Sequence, residues 1–389
     1  MEITTQKIDL NNLDKSTWET FKFEDIAQKI SKTMNPNTTN LEVYVGLEHI
    51  DAEDIHIRRK GVPSDVKGGK LRCHPGDVIF GKRRAYQRKA AIVDFNGICS
   101  AHAFVLRANA EIIDPKLFPF FLHSDQFMHR MVDISVGGLS PTINWGDLKP
   151  QEFLLPPKDE QAKLAELLWA MDEVVERENV VLDKLDSSYS ALVDNLFSKK
   201  IDDWDYLRLD KIAVINKSSL KSSTDPNYEF EYLDIAGIVE PKVIGKLKKM
   251  KFCEAPSRAK RIVNNNSIVL AMVRPYQKAF VYVKEGKDLI SSTGTAVVNL
   301  IEPANSNFIF HQFFSKKFTR YCEDRMTGTS YPAITPSDVE EYKVAIPKNK
   351  DLIKEESNKL NALDVSVRLI KSKIKSSKAL QKSLINQVF

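Results

Sequence analysis

The stretch SPTINWGDLKPQEFLLPPKDEQ, residues 140–161, runs into a long charged segment with regularly spaced leucines. A second stretch, YPAITPSDVEEYKVAIPKNKD at residues 331–351, runs into a segment of the same kind. Aligned on Pro141 and Pro332, the two are offset by 332 − 141 = 191 residues. At that offset Gly137 meets Gly328, Ile143 meets Ile334, Asp147 meets Asp338 and Pro156 meets Pro347. Leu148 meets Val339 and Leu155 meets Ile346, so apolar character persists where identity does not.

The correspondence extends in both directions. WETFKFEDIA (residues 18–27) answers WDYLRLDKIA (residues 204–213) at an offset of 204 − 18 = 186. VIFGKRRAYQRKA (residues 78–90) answers IVLAMVRPYQKAF (residues 268–280), with Arg84, Tyr86 and Gln87 on Arg274, Tyr276 and Gln277 at an offset of 274 − 84 = 190. Asp172 falls on Asp364 and Phe197 on Phe389, an offset of 389 − 197 = 192. Small loop insertions in a duplicated unit produce such a drift. A tandem repeat is therefore the first organising fact. It divides the chain into a leader (1–16), a globular unit (17–157), a long helix (158–200), a second globular unit (201–348) and a second long helix (349–389).

In the first helical segment, apolar residues step by four and three: Leu164, Leu168, Met171 and Val175, then Leu182, Leu185, Tyr189, Leu192 and Leu196. The second shows Leu360, Leu363, Val367, Ile370 and Ile374, then Leu384 and Val388. A period of 3.5 is the seam of a coiled coil. Pro157, Asp159 and Glu160 suit a helix start. Each helix spans on the order of 60 Å at 1.5 Å per residue, too long a seam to bury against one small domain. The expected partner is the other helix, antiparallel. Glu178, Ser377 and Gln381 interrupt the seam as register marks or weak points.

The globular units read as mixed strand and helix. LEVYVGLEHI, FEYLDIAGIV, DVIFGK, SIVLAMV and KAFVYV are rich in β-branched and aromatic residues. The phenylalanine-rich segments DPKLFPFFLHSDQFMHRMV and NFIFHQFFSKKFTRYCEDRM have helical spacing, and their rings are expected in the core. The fold class is α+β: two tandem mixed domains, each followed by a long helix.

The bulk numbers narrow function. A net charge of +5 permits nucleic acid without demanding it. The four cysteines lack metal-ligand spacing, and no metal site is expected. The first 15 residues lack an apolar signal core, and no apolar run reaches membrane-spanning length, so a cytoplasmic protein with no membrane partner is expected. Neither a glycine-rich cofactor loop, an Asn/Asp-Pro-Pro-aromatic run nor a phosphate-loop lysine motif is present. Asp77 resembles a nuclease carboxylate only in type, and its counterpart is Ser267. His102, His123 and His129 form no triad.

Candidate binding residues fall at equivalent places in the two units. The Arg-x-Tyr-Gln-Arg/Lys motif with its basic flank gives Lys82, Arg83, Arg84, Tyr86, Gln87 and Arg88, then Arg274, Tyr276, Gln277 and Lys278. Arg and Gln can each grip a base edge with two hydrogen bonds. The loops VGGLSPTIN and TGTSYPAIT add Ser140 and Thr142, then Thr329, Ser330 and Tyr331, whose hydroxyls and backbone N–H groups are typical phosphate donors. Further basic runs lie at residues 58–72 and 242–261.

GGLSPTINWGDLKPQEFLLPPKDEQAKLAELL, residues 137–168, resembles the DNA-specificity subunit of type I restriction–modification enzymes. There an aliphatic–Pro–Pro–x–x–Glu–Gln run enters a helix, matched here by Pro156, Pro157, Glu160 and Gln161. The second copy, IPKNKDLIKEE, departs from it. The resemblance implies two target-recognition domains, each reading half of a split, asymmetric site in double-stranded DNA. It implies helices that set the unread spacer and dock two methyltransferase subunits, which motor–nuclease subunits join. It implies no catalysis and no cofactor in this chain; the partners would use S-adenosylmethionine, and ATP with Mg for restriction. The alternative is a coiled-coil adaptor whose repeated domains bind protein. Salt separates the two, since phosphate binding weakens steeply as salt rises.

Overall fold

A computed structural model describes Leu13 and residues 15–389; the leader expected over 1–16 otherwise lies outside the described residues. The described chain forms two compact units, one of the residues up to 179 with 372–389, the other of residues 180–371. The long helices run Lys158–Phe197 and Lys350–Val388, so each contributes to both units.

The first unit is built on two four-stranded sheets. One has the order Ala27–Ile30, Phe104–Ala108, Val78–Phe80, Ala90–Ile92, antiparallel throughout. The other has the order Thr33–Met34, Lys70–Cys73, Gly97–Cys99, Val43–Val45, with the last pair parallel. The central strand Val78–Phe80 is buried at every position because the sheet is covered on both faces. Val78 and Phe80, with Phe104 and Leu106, face the helices around Phe118, Phe121 and Phe127. Ile79 and Val105 face the second sheet, beside Val45, Cys73 and Cys99. Side chains of period two thus feed two cores. The phenylalanine-rich segment folds into helices Phe118–His123 and Asp125–Asp133; Ser124 caps the second by accepting from Phe127 N at 3.2 Å. Phe118, Phe120, Phe121 and Phe127 are all fully buried, as a core reading requires. Glu19–Lys22 pairs with Glu152–Leu155 and closes the globular part where the long helix begins.

The second unit repeats this plan. Ala213–Ile215, Thr295–Leu300, Ser267–Ala271 and Phe280–Val283 form one sheet; Lys248–Lys251, Glu229–Leu233, Leu289–Ser292 and Ala259–Val263 form the other, again with one parallel pair. Ser315 caps helix Lys316–Glu323 as Ser124 caps its counterpart. One polar pair differs. In the first unit Asp77 accepts from Arg107 Nε at 2.7 Å and from His74 N at 2.9 Å, which gives this carboxylate a structural job. In the second unit Ser267 donates to Asn299 Oδ1 at 2.7 Å.

Within each unit the two helical stretches run antiparallel. In the first, Glu178 accepts from Ser377 Oγ at 3.2 Å and lies 3.4 Å from Lys373 Nζ, while Asp172 accepts from Gln381 at 3.1 Å. The polar interruptions of the seam therefore answer one another, and a shift of register would strand Glu178, buried at 5% exposure. The seam is not helix against helix alone, as the sequence suggested. Leu164 and Leu168 share a cluster with Ile385 and Val388 but also with Ile55, Leu117 and Phe120 of the globular part. In the second unit Leu360, with Leu192 and Leu363 against it, joins the main core. Val175, Val367 and Ile374 are buried, while Met171, Leu182, Leu185, Ile370 and Leu384 are half-buried.

Helix ends also hold the globular parts. Asn386 accepts from Asp125 N at 2.8 Å in the first unit, and Asp194 accepts from Lys316 N at 2.8 Å at the equivalent place in the second. Phe389 packs edge-on to Phe121 at 5.3 Å, as Phe197 packs on Phe308 at 5.2 Å. Gln161 of the Pro-Pro-x-x-Glu-Gln run is buried and ties the helix start to its domain. It donates to Ile112 O and Pro156 O and accepts from Asp114 N at 2.7 Å.

Candidate nucleic-acid interface

The two loops singled out in each repeat meet in space. In the first unit Arg84 N donates to Pro141 O at 2.7 Å, Ile143 N to Lys82 O at 2.9 Å, and Arg83 bridges Thr142. In the second, Arg274 N donates to Pro332 O at 2.7 Å, Ile334 N to Met272 O at 3.0 Å, and Val273 bridges Ala333. Each glycine-containing loop is pinched by a reciprocal backbone pair, Val136 with Thr142 and Thr327 with Ala333. Gly137 (φ 114°) and Gly328 (φ 92°) take the positive-φ turn that this pinch needs.

The Arg-x-Tyr-Gln motif forms a single 3₁₀ turn between two left-handed residues, Arg84 (φ 56°) and Arg88 (φ 52°), or Arg274 (φ 49°) and Lys278 (φ 54°). Positive φ costs a residue with a Cβ roughly 1–2 kcal/mol. Its presence four times, at matching positions, is backbone strain at one surface feature.

The turn splits the motif. Its first residue points along the surface: Arg84 Nε donates to Ser140 Oγ at 3.1 Å, and Arg274 Nη2 to Ser330 O at 3.1 Å, its guanidinium 5.1 Å from the Tyr331 ring. Tyr86 (54% exposed), Tyr276 (43%) and Tyr331 (72%) present their rings to solvent. Arg83, Gln277, Thr329 and Ser330 are exposed; Gln87, Ser140 and Thr142 are half-buried. The last residue turns inward. Arg88 is engaged by Asp125 at 2.6 Å, Glu53 at 3.0 Å and His123 O at 3.1 Å, and Lys278 donates to Phe314 O at 3.0 Å. Arg88 and Lys278, expected among the binding residues, are half-buried, and these bonds tie the turn to the domain.

The flanking basic runs are neutralised in part. Arg58 is held by Asp54 at 3.0 Å and Glu176 at 2.6 Å, Arg59 by Asp51 at 2.6 Å, and Lys60 by Asp94 at 2.9 Å. Lys249 and Lys251 lie directly across the sheet from Glu231 and Glu229. Lys70 and Arg72 of the first run donate to the carbonyls of Gly68 and Gly97, so their charge is not cancelled. The sequence reading missed Leu139, 96% exposed at a loop tip. An apolar residue outside any periodic segment, after two glycines, was the available signal.

Buried titratable groups are structural. His123 donates to Ala90 O at 2.7 Å, and burial pulls its pKa down. His311, held by Tyr189 OH at 2.7 Å and Asn361 at 3.2 Å, is pulled down to about 4, first by burial and then by Lys242. Among the described residues no group of three or more His, Cys, Asp or Glu is placed to hold a metal ion. Also among them, no helix is long and apolar enough to cross a membrane.

Residues 15–186 match the family model described as the type I restriction modification DNA specificity domain. The chain is 20% identical over 403 residues, 95% of its length and 92% of the relative's, to a protein of Methanocaldococcus jannaschii named as the type I restriction enzyme MjaX specificity subunit. It is 22% identical over 214 residues, 54% of this chain and 46% of the relative, to the HindI specificity subunit of Haemophilus influenzae. Among solved structures, the type I restriction–modification S subunit from M. genitalium matches with a TM-score of 0.57 at 15% identity, over 96% of both chains. At that identity the likeness speaks for the fold.

Proposed function

The chain belongs to the DNA-specificity subunit family of type I restriction–modification systems, and from that premise we propose that each paired-loop surface reads one half of a split DNA site. The chain is the noncatalytic recognition component of its complex. The observation that carries the reading is the twofold occurrence of one backbone frame, Arg84–Pro141 and Arg274–Pro332, with different side chains at its tips. An identical frame gives both units the same approach to the duplex. Different tips, Leu139–Ser140 against Ser330–Tyr331, give each its own preference, so the site is asymmetric.

In this reading Arg84, Gln87, Arg274 and Gln277 contact base edges, and the hydroxyl and backbone donors of the second loop hold phosphates and fix register. The long helices set the length of the unread segment and dock two methyltransferase subunits, which bring S-adenosylmethionine; motor–nuclease subunits bring ATP and Mg. Nothing in the geometry favours the protein-binding adaptor. The test is binding of the assembled complex to cognate and scrambled duplexes across salt. Specific binding that weakens steeply with salt supports the proposal; salt-insensitive binding without sequence preference defeats it.

A further inference from the structure

The base of the first unit's loop pair carries an arrangement that the second unit lacks. Trp145 follows the glycine loop and packs edge-on to Phe23 at 6.0 Å and Phe104 at 5.9 Å. Two ammonium groups converge on this aromatic corner. Lys29 Nζ lies 5.5 Å from the Trp145 centroid and 6.0 Å from Phe104, and Lys82 Nζ lies 5.2 Å from Phe104. Both lysines and Trp145 are half-buried. No ion pair to a carboxylate is found for either lysine among the described residues. Burial and then the neighbouring Lys29 charge pull the Lys82 pKa down, so the cations are held together at a cost.

The repeat supplies an internal control. Strand register pairs Ala27 with Ala108 and Ala213 with Leu300, so Lys29 corresponds to Ile215 and Phe104 to Ala296. The bonds from Ile143 to Lys82 and from Ile334 to Met272 equate Lys82 with Met272. At 336 − 145 = 191, Trp145 corresponds to Pro336. Ile215, Met272 and Ala296 join one hydrophobic cluster in the second unit and Pro336 carries no charge, so the shared fold does not require the two lysines. Aromatic faces attract cations but do not neutralise them. Two adjacent cations without a counter-charge, beside loops that face DNA, form a seat for an anion.

We infer that Lys29 and Lys82 form a seat for one backbone phosphate of the DNA, present on the first unit only. This rests on the reading that the paired loops face DNA. The seat grips one half-site without reading a base, so it sets affinity and register rather than sequence.

The assembled complex would be tested with Lys29→Gln, Lys82→Met and the double variant; methionine is what the second unit holds at that place. One phosphate contact contributes about 0.9 to the slope of log K against log salt, so the double variant should lose about 3.5-fold less affinity than wild type between 50 and 200 mM salt. Sequence preference should not change. A duplex carrying a single neutral methylphosphonate is then moved along the first half-site. At one position it should weaken wild type but leave the double variant unaffected. An unchanged salt slope, or methylphosphonate losses that add to the mutational loss at every position, would overturn the seat. Absence of specific binding by the wild-type complex would instead defeat the parent reading. Thermal unfolding of each variant identifies any loss that comes from folding.

Discussion

Arg84 and Arg274 allow binding to be separated from stability. Both are left-handed, and the strain of roughly 1–2 kcal/mol falls away when glycine takes the place. Glycine also loses more chain entropy on folding, roughly 0.5–1 kcal/mol. The one side-chain bond lost in the first unit, Arg84 to Ser140, is exposed. These terms nearly cancel, so Arg84→Gly should change fold stability by no more than about 1 kcal/mol in either direction. Binding should respond differently. A bidentate arginine contact to a base contributes roughly 1–3 kcal/mol of discrimination, so affinity for the cognate duplex should fall about 5- to 150-fold. Arg274→Gly should do the same through the other half-site. Arg84→Lys should retain the salt dependence while losing discrimination, since the charge survives and the planar fork does not. The assay is fluorescence anisotropy of the assembled complex on cognate duplexes and on duplexes altered in each half-site, with thermal unfolding in parallel. An Arg84→Gly complex that is equally stable and within twofold of wild-type affinity would refute the assignment. A large loss of stability would show the strain argument to be wrong.

Other perturbations test what holds the units. Lys242 and Asp364, 2.7 Å apart and little exposed, form a buried pair, so Lys242→Ala should cost about 2–3 kcal/mol by leaving Asp364 with only its longer contact to Arg368 at 3.4 Å, and Lys242→Met with Asp364→Leu should recover most of it in denaturant unfolding. His56 donates to Asp172 at 2.7 Å, and that bond raises its pKa against the opposing effect of burial. A raised folded pKa means that the contribution is fully present below the unfolded value near 6.5 and is lost as pH climbs through the folded value; hydrogen-exchange protection in the Asp172 turn, taken relative to the intrinsic exchange rate at each pH, should therefore fall over that interval in wild type and not in His56→Gln. Phe389→Ala should destabilise the first unit by about 2 kcal/mol, less than full burial of a ring would imply, because Phe389 is half-buried against Phe121. Transplanting the second unit's neutral pair, Asp77→Ser with Arg107→Asn, should cost less than Asp77→Ala alone, which leaves His74 N without its acceptor; equal losses in thermal melts would contradict the pairing.

Much of this was legible in the chain because the repeat is written residue by residue. The offset of 190 carried Arg84 onto Arg274, and the structure gives both the same backbone bonds. Periodicity located both helices, and the interruptions at Glu178 and Ser377 were visible as such before their hydrogen bond was known. What the sequence hid was spatial. The bond from Arg84 to Ser140 spans 56 residues and depends on how two loops close, which no local pattern encodes. The inward turn of Arg88 depends on its bonds to Asp125 and His123 O, which no local pattern signals. The basic run at residues 58–60 looked available because Glu176, its partner, lies 118 residues away. Gln161 matched a family motif, but its role as a clamp on Asp114 and Ile112 required the packed helix start.

The most direct test of the central claim is methylation itself. The chain would be expressed with a methyltransferase subunit of the same system, and the host DNA sequenced at single-molecule level for modified adenines. The account predicts a bipartite, asymmetric motif that vanishes when this chain is deleted, with Arg84→Gly relaxing one half and Arg274→Gly the other. A motif that persists without the chain, or none despite good expression of both proteins, would contradict it.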